Sequence, residues 1–372
     1  MTGFPRIRVS GGPAERGRQY GESAATQIAH SRSVYEAAFA AKGISWDEAL
    51  SRSARFEAPI RDFLPHIWEE IEGIAAGAGL PTADVLALNC RTEILWSAVT
   101  APPRGECSSF AIEPTHTSDG STLVGQNWDW LEGSVDSVVV LEVDREDGPN
   151  YVTIVEAGLL GKTMLNEAGI AMCVNTLVTS ADGVADGIPF HVMLRALADS
   201  ERVFDAVLTL GQLPRASSGN YVMAGADGTI LNLEAEPGGP EGVHPIIAEH
   251  GRVLHTNHFR SPLVNGSERA TVTMADSYVR LGRLAALIPT PSGPVSRDQL
   301  DVALTDHRDA PGSICCHPDP RDPAASQWST VMSVIIDVAE RTLLLSEGRP
   351  CETPRVTVDY SGFLGRGTSA LR

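Results

Sequence analysis

The sequence predicts an α+β fold, and three observations carry that prediction. Residues 13–96 repeat apolar side chains at helical spacing. From Cys107 the texture changes to short apolar runs broken by Asp-Gly and Ala-Gly turns, the pattern of β-hairpins. Residues 188–347 then repeat the sequence of helices followed by strands.

In order, residues 4–10 read as a short strand stopped by Gly11-Gly12-Pro13, and Pro13 suits the first turn of a helix running towards Ser33. Ser45 caps a second helix. Ile60, Phe63, Leu64, Ile67, Ile71 and Ile74 mark a third that ends at Gly77-Ala78-Gly79, and Thr82 opens a fourth through Trp96. Pro102-Pro103 excludes further helix. Three hairpins follow: 107–112 with 121–128, 138–143 with 151–156, and 163–166 with 170–175. Together these runs predict one antiparallel sheet whose edge begins at Cys107. Helices are expected over 188–198 and 203–210, strands over 221–225, 230–235 and 252–257, helices over 269–288 and 298–305, and a last hairpin of 330–337 with 341–347. No repeat or clear linker interrupts this order, so residues 1–372 read as a single domain.

A net charge of -18 argues against nucleic acid or an anionic membrane surface as partner. Lys42 and Lys162 are the only lysines, an arginine bias expected of a GC-rich, bacterial genome. The N-terminus lacks the apolar stretch of a secretory signal, and no apolar run approaches the ~18 residues of a membrane span. Six cysteines are too sparse for a disulfide scaffold. A reducing cytoplasm, with Cys107 a free thiol, is the resulting expectation.

Familiar catalytic signatures are missing: no Gly-x-Ser-x-Gly elbow, no Ser-x-x-Lys, no His-Glu-x-x-His and no Cys-x-x-Cys. In His255-Thr256-Asn257-His258 the two histidines would point to opposite faces of a strand, so the stretch reads as polar strand-end residues and no metal site is assigned. Cys107 differs for a chemical reason. Freed as an N-terminal residue by a cut between Glu106 and Cys107, it would carry a thiol and, in its own α-amine, a base with a pKa near ~8. The thiol could make that cut itself, by attack on the preceding carbonyl. A cysteine opening a strand is also commonly structural, and spacing alone leaves both readings open.

A set of ordered motifs bears on that choice. They are Glu15-Arg16-Gly17-Arg18-Gln19-Tyr20-Gly21, Glu72-Gly73-Ile74-Ala75-Ala76-Gly77, Leu88-Asn89-Cys90-Arg91-Thr92-Glu93, Cys107-Ser108-Ser109, Gly125-Gln126-Asn127-Trp128-Asp129, Glu156-Ala157-Gly158-Leu159-Leu160-Gly161-Lys162, His255-Thr256-Asn257-His258 and Ser313-Ile314-Cys315. Through them the chain resembles the isopenicillin N acyltransferase family of N-terminal nucleophile hydrolases, the C45 self-processing peptidases, over roughly residues 15–350.

The resemblance implies a four-layer αββα sandwich, cut into residues 1–106 and 107–372 that stay together as obligate subunits. It implies Cys107 as nucleophile and cleavage position, Asp129 as the carboxylate that holds the α-amine, and Asn257 as an oxyanion donor. Asn175 lies at a strand end that helps form the oxyanion hole by analogy, where a neighbouring backbone N–H is the alternative donor. Ser109 and Ser218 fall at hydroxyl positions near the site. The implied activity is amide hydrolysis or acyl transfer through a Cys107 thioester, on a small-molecule amide or an acyl-CoA-like substrate, with no metal or organic cofactor. The competing class is an unprocessed, catalytically impaired relative that serves as a binding or interaction module.

Two positions depart from the family pattern. Glu106 stands where the fungal enzyme has glycine, and Cys316 stands where arginine is frequent. Arg308 and Arg321 are the arginines nearest in sequence that could supply the charge.

Overall fold

The computed structural model describes residues 3–97, 107–288 and 293–365. The N-terminal region contains β1 (Arg6–Gly11) and seven helices, α1 (Pro13–Ser23), α2 (Ala25–Ala40), α3 (Trp46–Ser53), α4 (Glu57–Phe63), α5 (Pro65–Ala78), α6 (Thr82–Asn89) and α7 (Arg91–Trp96). Ser45 caps α3 as expected, accepting from the Glu48 N–H at 3.2 Å. Gly79 ends α5 in the left-handed conformation (φ 67°) that glycine adopts without a Cβ penalty. Three expected helices are each broken in two, at Ala24, Leu64 and Cys90.

The α1–α5 contact explains two of the motifs. A Cβ on Gly17 would sit 2.4 Å from the Glu70 carbonyl oxygen, and one on Gly73 would sit 2.3 Å from that of Ala14. Gly21 and Gly77 meet the facing helix in the same way. The two helices therefore touch backbone to backbone.

After Cys107 come β2 (Ser108–Ile112), β3 (Leu123–Leu131), β4 (Val138–Arg145), β5 (Tyr151–Glu156), β6 (Thr163–Asn166) and β7 (Ile170–Thr176), then α8 (Phe190–Leu197) and α9 (Val203–Gln212). The C-terminal part adds β8 (Gly219–Gly225), β9 (Ile230–Ala235), β10 (Val243–Ile246), β11 (Arg252–His255), α10 (Ala270–Thr273), α11 (Asp276–Leu287), α12 (Arg297–Leu304), β12 (Trp328–Asp337), β13 (Thr342–Ser346), β14 (Val356–Asp359) and α13 (Ser361–Leu364). The expected helix over 269–288 is thus α10 and α11, with a break between them.

All the expected hairpins pair, but they do not form one sheet. The described strands form a sheet ordered β1-β4-β5-β6-β7-β8-β9-β10 and a second ordered β11-β2-β3-β12-β13-β14. The expectation of a single sheet with its edge at Cys107 is corrected: β2 is interior, flanked by β11 and β3. Hairpin patterns fix which neighbours pair locally, whereas the assignment of hairpins to sheets depends on distant strands.

Helices α1, α2 and α9 cover the outer face of the eight-stranded sheet, and the inner faces of the two sheets meet through β2 and β3 against β7 and β8. On the far side α11 and α12 pack on the six-stranded sheet, where Leu284, Leu300 and Ala303 join Phe110, Ile112, Leu123 and Ile335 in one apolar cluster. The layers are αββα, as the resemblance implies. Because β2 is covered on both faces, all five of its residues are buried. Its odd-numbered side chains face the other sheet and its even-numbered ones face α11 and α12. No helix among the described residues is long and apolar enough to cross a membrane.

Candidate active site

Cys107 is buried immediately before β2, and its side chain falls on the inter-sheet face with that of Ala111. Glu106, the other half of the expected cleavage site, lies outside the described residues. The Cys107 carbonyl oxygen accepts from two side chains: Asn175 Nδ2 at 2.8 Å and Arg280 Nη1 at 3.0 Å.

Asn175 comes from β7 in the facing sheet, where strand alternation turns it towards β2. Its Oδ1 accepts from Ser109 Oγ at 2.6 Å and from Asn220 Nδ2 at 2.9 Å, which fixes which end of the amide faces Cys107. The thiol of Cys173 also lies on β7; burial pushes its pKa well up, and Cys107 adds to the effect.

Arg280 is a site residue that the motifs do not contain. It lies on α11 and reaches β2 from the helical side, donating through Nη1 also to Ser108 Oγ at 3.1 Å and through Nη2 to Asn257 Oδ1 at 2.9 Å. Its Nε is held by Asp276 at 2.8 Å. Burial disfavours its charge, but Asp276 and Asp129 outweigh that penalty and hold its pKa above the usual arginine value. A sequence signal did exist: Ser277, Arg280 and Leu284 form the buried stripe of α11, and an arginine on such a stripe needs a buried partner.

Asn257 follows β11. Its backbone N–H donates to Ser277 Oγ at 2.6 Å and its Nδ2 to the Thr176 carbonyl at 3.0 Å. With Oδ1 accepting from Arg280, this side chain is oriented from β7 of the eight-stranded sheet and from α11. Asp129, on β3, is buried and accepts from Thr330 Oγ1 at 2.5 Å through Oδ1. Thr330 is its cross-strand partner on β12. Thr330 Oγ1 in turn accepts from the Cys316 N–H at 2.9 Å.

Cys107, Ser109, Asn175 and Asn257 are therefore linked through shared partners, and Asp129 acts on Arg280 electrostatically. The hydroxyl and N–H of Ser218 both donate to Asp182. The two arginines nearest to Cys316 in sequence do not enter the site. Arg308 is exposed, and Arg321 is exposed and paired with Asp319 at 2.6 Å. Burial holds the Cys316 thiol protonated, with Asp129 adding to that effect and Arg280 opposing it.

β11 ends at His255, so the expected placing of the two histidines on opposite strand faces is corrected: past the strand end the chain brings their rings into a stacked arrangement, centroids 6.5 Å apart. Both ring nitrogens of His255 are taken, by Glu234 and by the Thr256 carbonyl, each at 2.7 Å.

An αββα sandwich whose interior strand opens on a cysteine has the architecture of the N-terminal nucleophile hydrolases. The family model described as "Acyl-coenzyme A:6-aminopenicillanic acid acyl-transferase" matches residues 115–352, and the chain belongs to that family. It is 27% identical over 354 residues to the "Acyl-coenzyme A:6-aminopenicillanic-acid-acyltransferase 40 kDa form" of Emericella nidulans, covering 92% of each chain. Among solved structures it is similar to a mutant of conjugated bile acid hydrolase from Clostridium perfringens, with a TM-score of 0.45 and 11% identity over 69% of this chain and 93% of that one. Penicillin V acylase from Agrobacterium tumefaciens is similar with a TM-score of 0.45 and 14% identity, over 68% and 86% of the two chains.

Proposed function

We propose that this chain is a self-processing cysteine N-terminal nucleophile enzyme that hydrolyses a linear amide or transfers an acyl group through a thioester on Cys107. The observation that carries this reading is the convergence on Cys107 of Asn175 from one sheet and Arg280 from α11, with Arg280 also holding Asn257.

Processing begins with attack of the Cys107 thiol on the Glu106 carbonyl. The carbon–sulfur bond forms, the peptide C–N bond breaks, and the thiol proton passes to the departing nitrogen, which becomes the α-amine of Cys107. Water then hydrolyses the thioester and restores the thiol. In turnover that amine takes the thiol proton, and the thiolate attacks the substrate carbonyl. The proton then goes to the leaving group, and water or an acceptor amine releases the acyl chain.

Asn257 has the oxyanion role here. Its Nδ2 is anchored on Thr176, and Arg280 on its oxygen polarises the amide and fixes its orientation. Asp129 holds the amine, and its anchor Thr330 fixes the carboxylate from the neighbouring strand. Arg280 supplies a cation close enough to Cys316 and Asp129 to act on both.

Residues 1–106 and 107–372 would remain together after the cut, in one αββα unit. Arg91 donates to buried Glu156 at 2.8 Å, Asn89 bonds both the Gly158 carbonyl and the Leu160 N–H at 2.9 Å, and Glu93 accepts from the Phe190 N–H at 2.8 Å. The substrate class is a small-molecule amide or an acyl-CoA-like thioester, consistent with the name of the Emericella nidulans relative.

Intact mass and a denaturing gel test the reading. Two fragments divided at Cys107 are expected, and the Cys107→Ala variant should stay one chain. A wild-type chain that remains uncut, with no acyl adduct on Cys107 after exposure to activated acyl donors, would overturn it.

A further inference from the structure

Away from the Cys107 site, four side chains with metal-binding atoms converge at the end of the six-stranded sheet. His307, Cys315 and His317 lie on the connection between α12 and β12, and Cys351 lies on the connection between β13 and β14. One ligand atom from each lies within 4.8 Å of those from all the others.

Four of the six ligand–ligand distances match the edges of a tetrahedron, and the other two fall within 4.8 Å. Bonds of ~2.3 Å to sulfur and ~2.05 Å to nitrogen around a tetrahedral zinc ion require edges of ~3.8 Å between sulfurs, ~3.3 Å between nitrogens and ~3.6 Å between sulfur and nitrogen. The Cys315 and Cys351 sulfurs are 3.6 Å apart, and His307 Nε2 and His317 Nε2 are 3.1 Å apart. His317 Nε2 lies 3.3 Å from Cys351 Sγ and 3.9 Å from Cys315 Sγ. A disulfide needs its sulfurs ~2.05 Å apart, so the two cysteines are not bonded to each other.

The surroundings complete the pattern. While Nε2 of His317 faces the cluster, its Nδ1 lies 3.8 Å from Glu352 Oε1, the carboxylate-behind-histidine arrangement that orients metal-ligating imidazoles. Glu352 is held by Arg349 at 2.8 Å, and Arg349 also pairs with Glu132 at 3.1 Å.

We propose that His307, Cys315, His317 and Cys351 bind one zinc ion. Two thiolates and two imidazoles at tetrahedral edges select zinc over harder divalent cations, and four protein ligands leave no open position, so the role is structural. The ion would clamp two connections far apart in sequence. One of them carries Cys316, whose backbone exchanges hydrogen bonds with Thr330, the residue behind Asp129. This assigns a metal where sequence spacing suggested none.

The test is elemental analysis of the untagged full chain purified without chelator, together with cobalt(II) exchange. One zinc per chain is expected, along with the visible bands and thiolate charge-transfer absorption of a tetrahedral S2N2 cobalt site. Cys351→Ser and His307→Ala change exposed positions; each should lower the zinc content well below one per chain and lower the melting temperature, and Cys351→Ser should weaken the charge-transfer band. A chain that purifies without stoichiometric zinc and gives no tetrahedral cobalt spectrum would overturn the proposal. A Cys315–Cys351 disulfide found by mass, or full zinc content in both variants, would do the same.

Discussion

Arg280 Nη1 lies 3.0 Å from the carbonyl oxygen of Cys107, a residue 173 positions away, and the same guanidinium holds the side-chain oxygen of Asn257 at 2.9 Å. One cation thus ties the proposed nucleophile to the proposed oxyanion donor. Its three nitrogens serve four acceptors, and a planar five-donor fork can do this where an ammonium cannot.

Arg280→Ala should reduce kcat/KM by about 10²-fold or more, since it releases Asn257 and removes the cation beside Asp129. Arg280→Lys should recover only part of that loss. The pH–rate profile of both variants carries the decisive readout. A nearby cation favours the thiolate and the neutral amine, so weakening it should move the acid limb to higher pH. An unmoved limb would leave Arg280 with a packing role only.

Asn175→Ala removes a donor to Cys107 and the acceptor shared by Ser109 and Asn220, all of it buried. A stability loss of about 2–4 kcal/mol in urea unfolding is expected from the stranded groups. Asn175→Asp keeps the acceptor and loses the donor, so it should fold better than the alanine variant while placing a carboxylate against the Cys107 carbonyl and lowering turnover.

The α1–α5 contact gives a test of sign. Gly282, within α11, has nothing within 4 Å of an added Cβ, so Gly282→Ala should stabilise by up to about 1 kcal/mol through helix propensity. Gly17→Ala adds the same methyl 2.4 Å from the Glu70 carbonyl and should destabilise by about 1–3 kcal/mol. Thermal melts of the two variants should move in opposite directions.

His258 predicts a pH dependence. Its ring is stacked on Tyr278 at 4.1 Å and bonded through Nδ1 to Ser277 Oγ at 2.8 Å. Burial lowers its pKa to about 4, with His255, Arg280 and Arg260 pushing in the same direction and Glu234 opposing. The unfolded chain takes up this proton near pH ~6.5, whereas the folded chain does not until about pH 4. Between those values the unfolded state binds more protons, so stability falls as the pH is lowered. Urea midpoints across this window should fall less steeply for His258→Gln than for the wild type.

Local chemistry was legible in the sequence where it is carried by neighbours. The hairpins around 119–120, 167–169 and 227–228, the Ser45 cap and the Gly79 stop all rest on residues within a few positions of one another, and each is found. The texture change at Cys107 marks where the second sheet begins. What escaped depends on closure at a distance. The split into two sheets needs β12 against β3 and β11 against β2, and neither pairing has a local signature. β14 and β10 are short edge strands with little alternation to betray them. Arg280 was visible only as a charge on an apolar helical stripe, its partners lying on two other elements. The His307, Cys315, His317 and Cys351 cluster has no conventional ligand spacing, because its fourth member arrives after two further strands.

The parallel pairing of β1 with β4, from Arg6 against Val140 to Gly11 against Arg145, has a consequence for timing. β1 belongs to the part of the chain before the proposed cut and caps the margin of the eight-stranded sheet. Made without residues 1–106, the remainder would display the run Val138-Val139-Val140-Leu141 as an open, apolar border able to recruit a second molecule and precipitate. The proposed cut would be harmless once β1 is seated and ruinous before, so maturation by that route would run in one direction: assembly first, scission afterwards. On the proposed reading the leading 106 residues would then act as a lasting chaperone of the rest, made on the ribosome ahead of their client and retained after the cut.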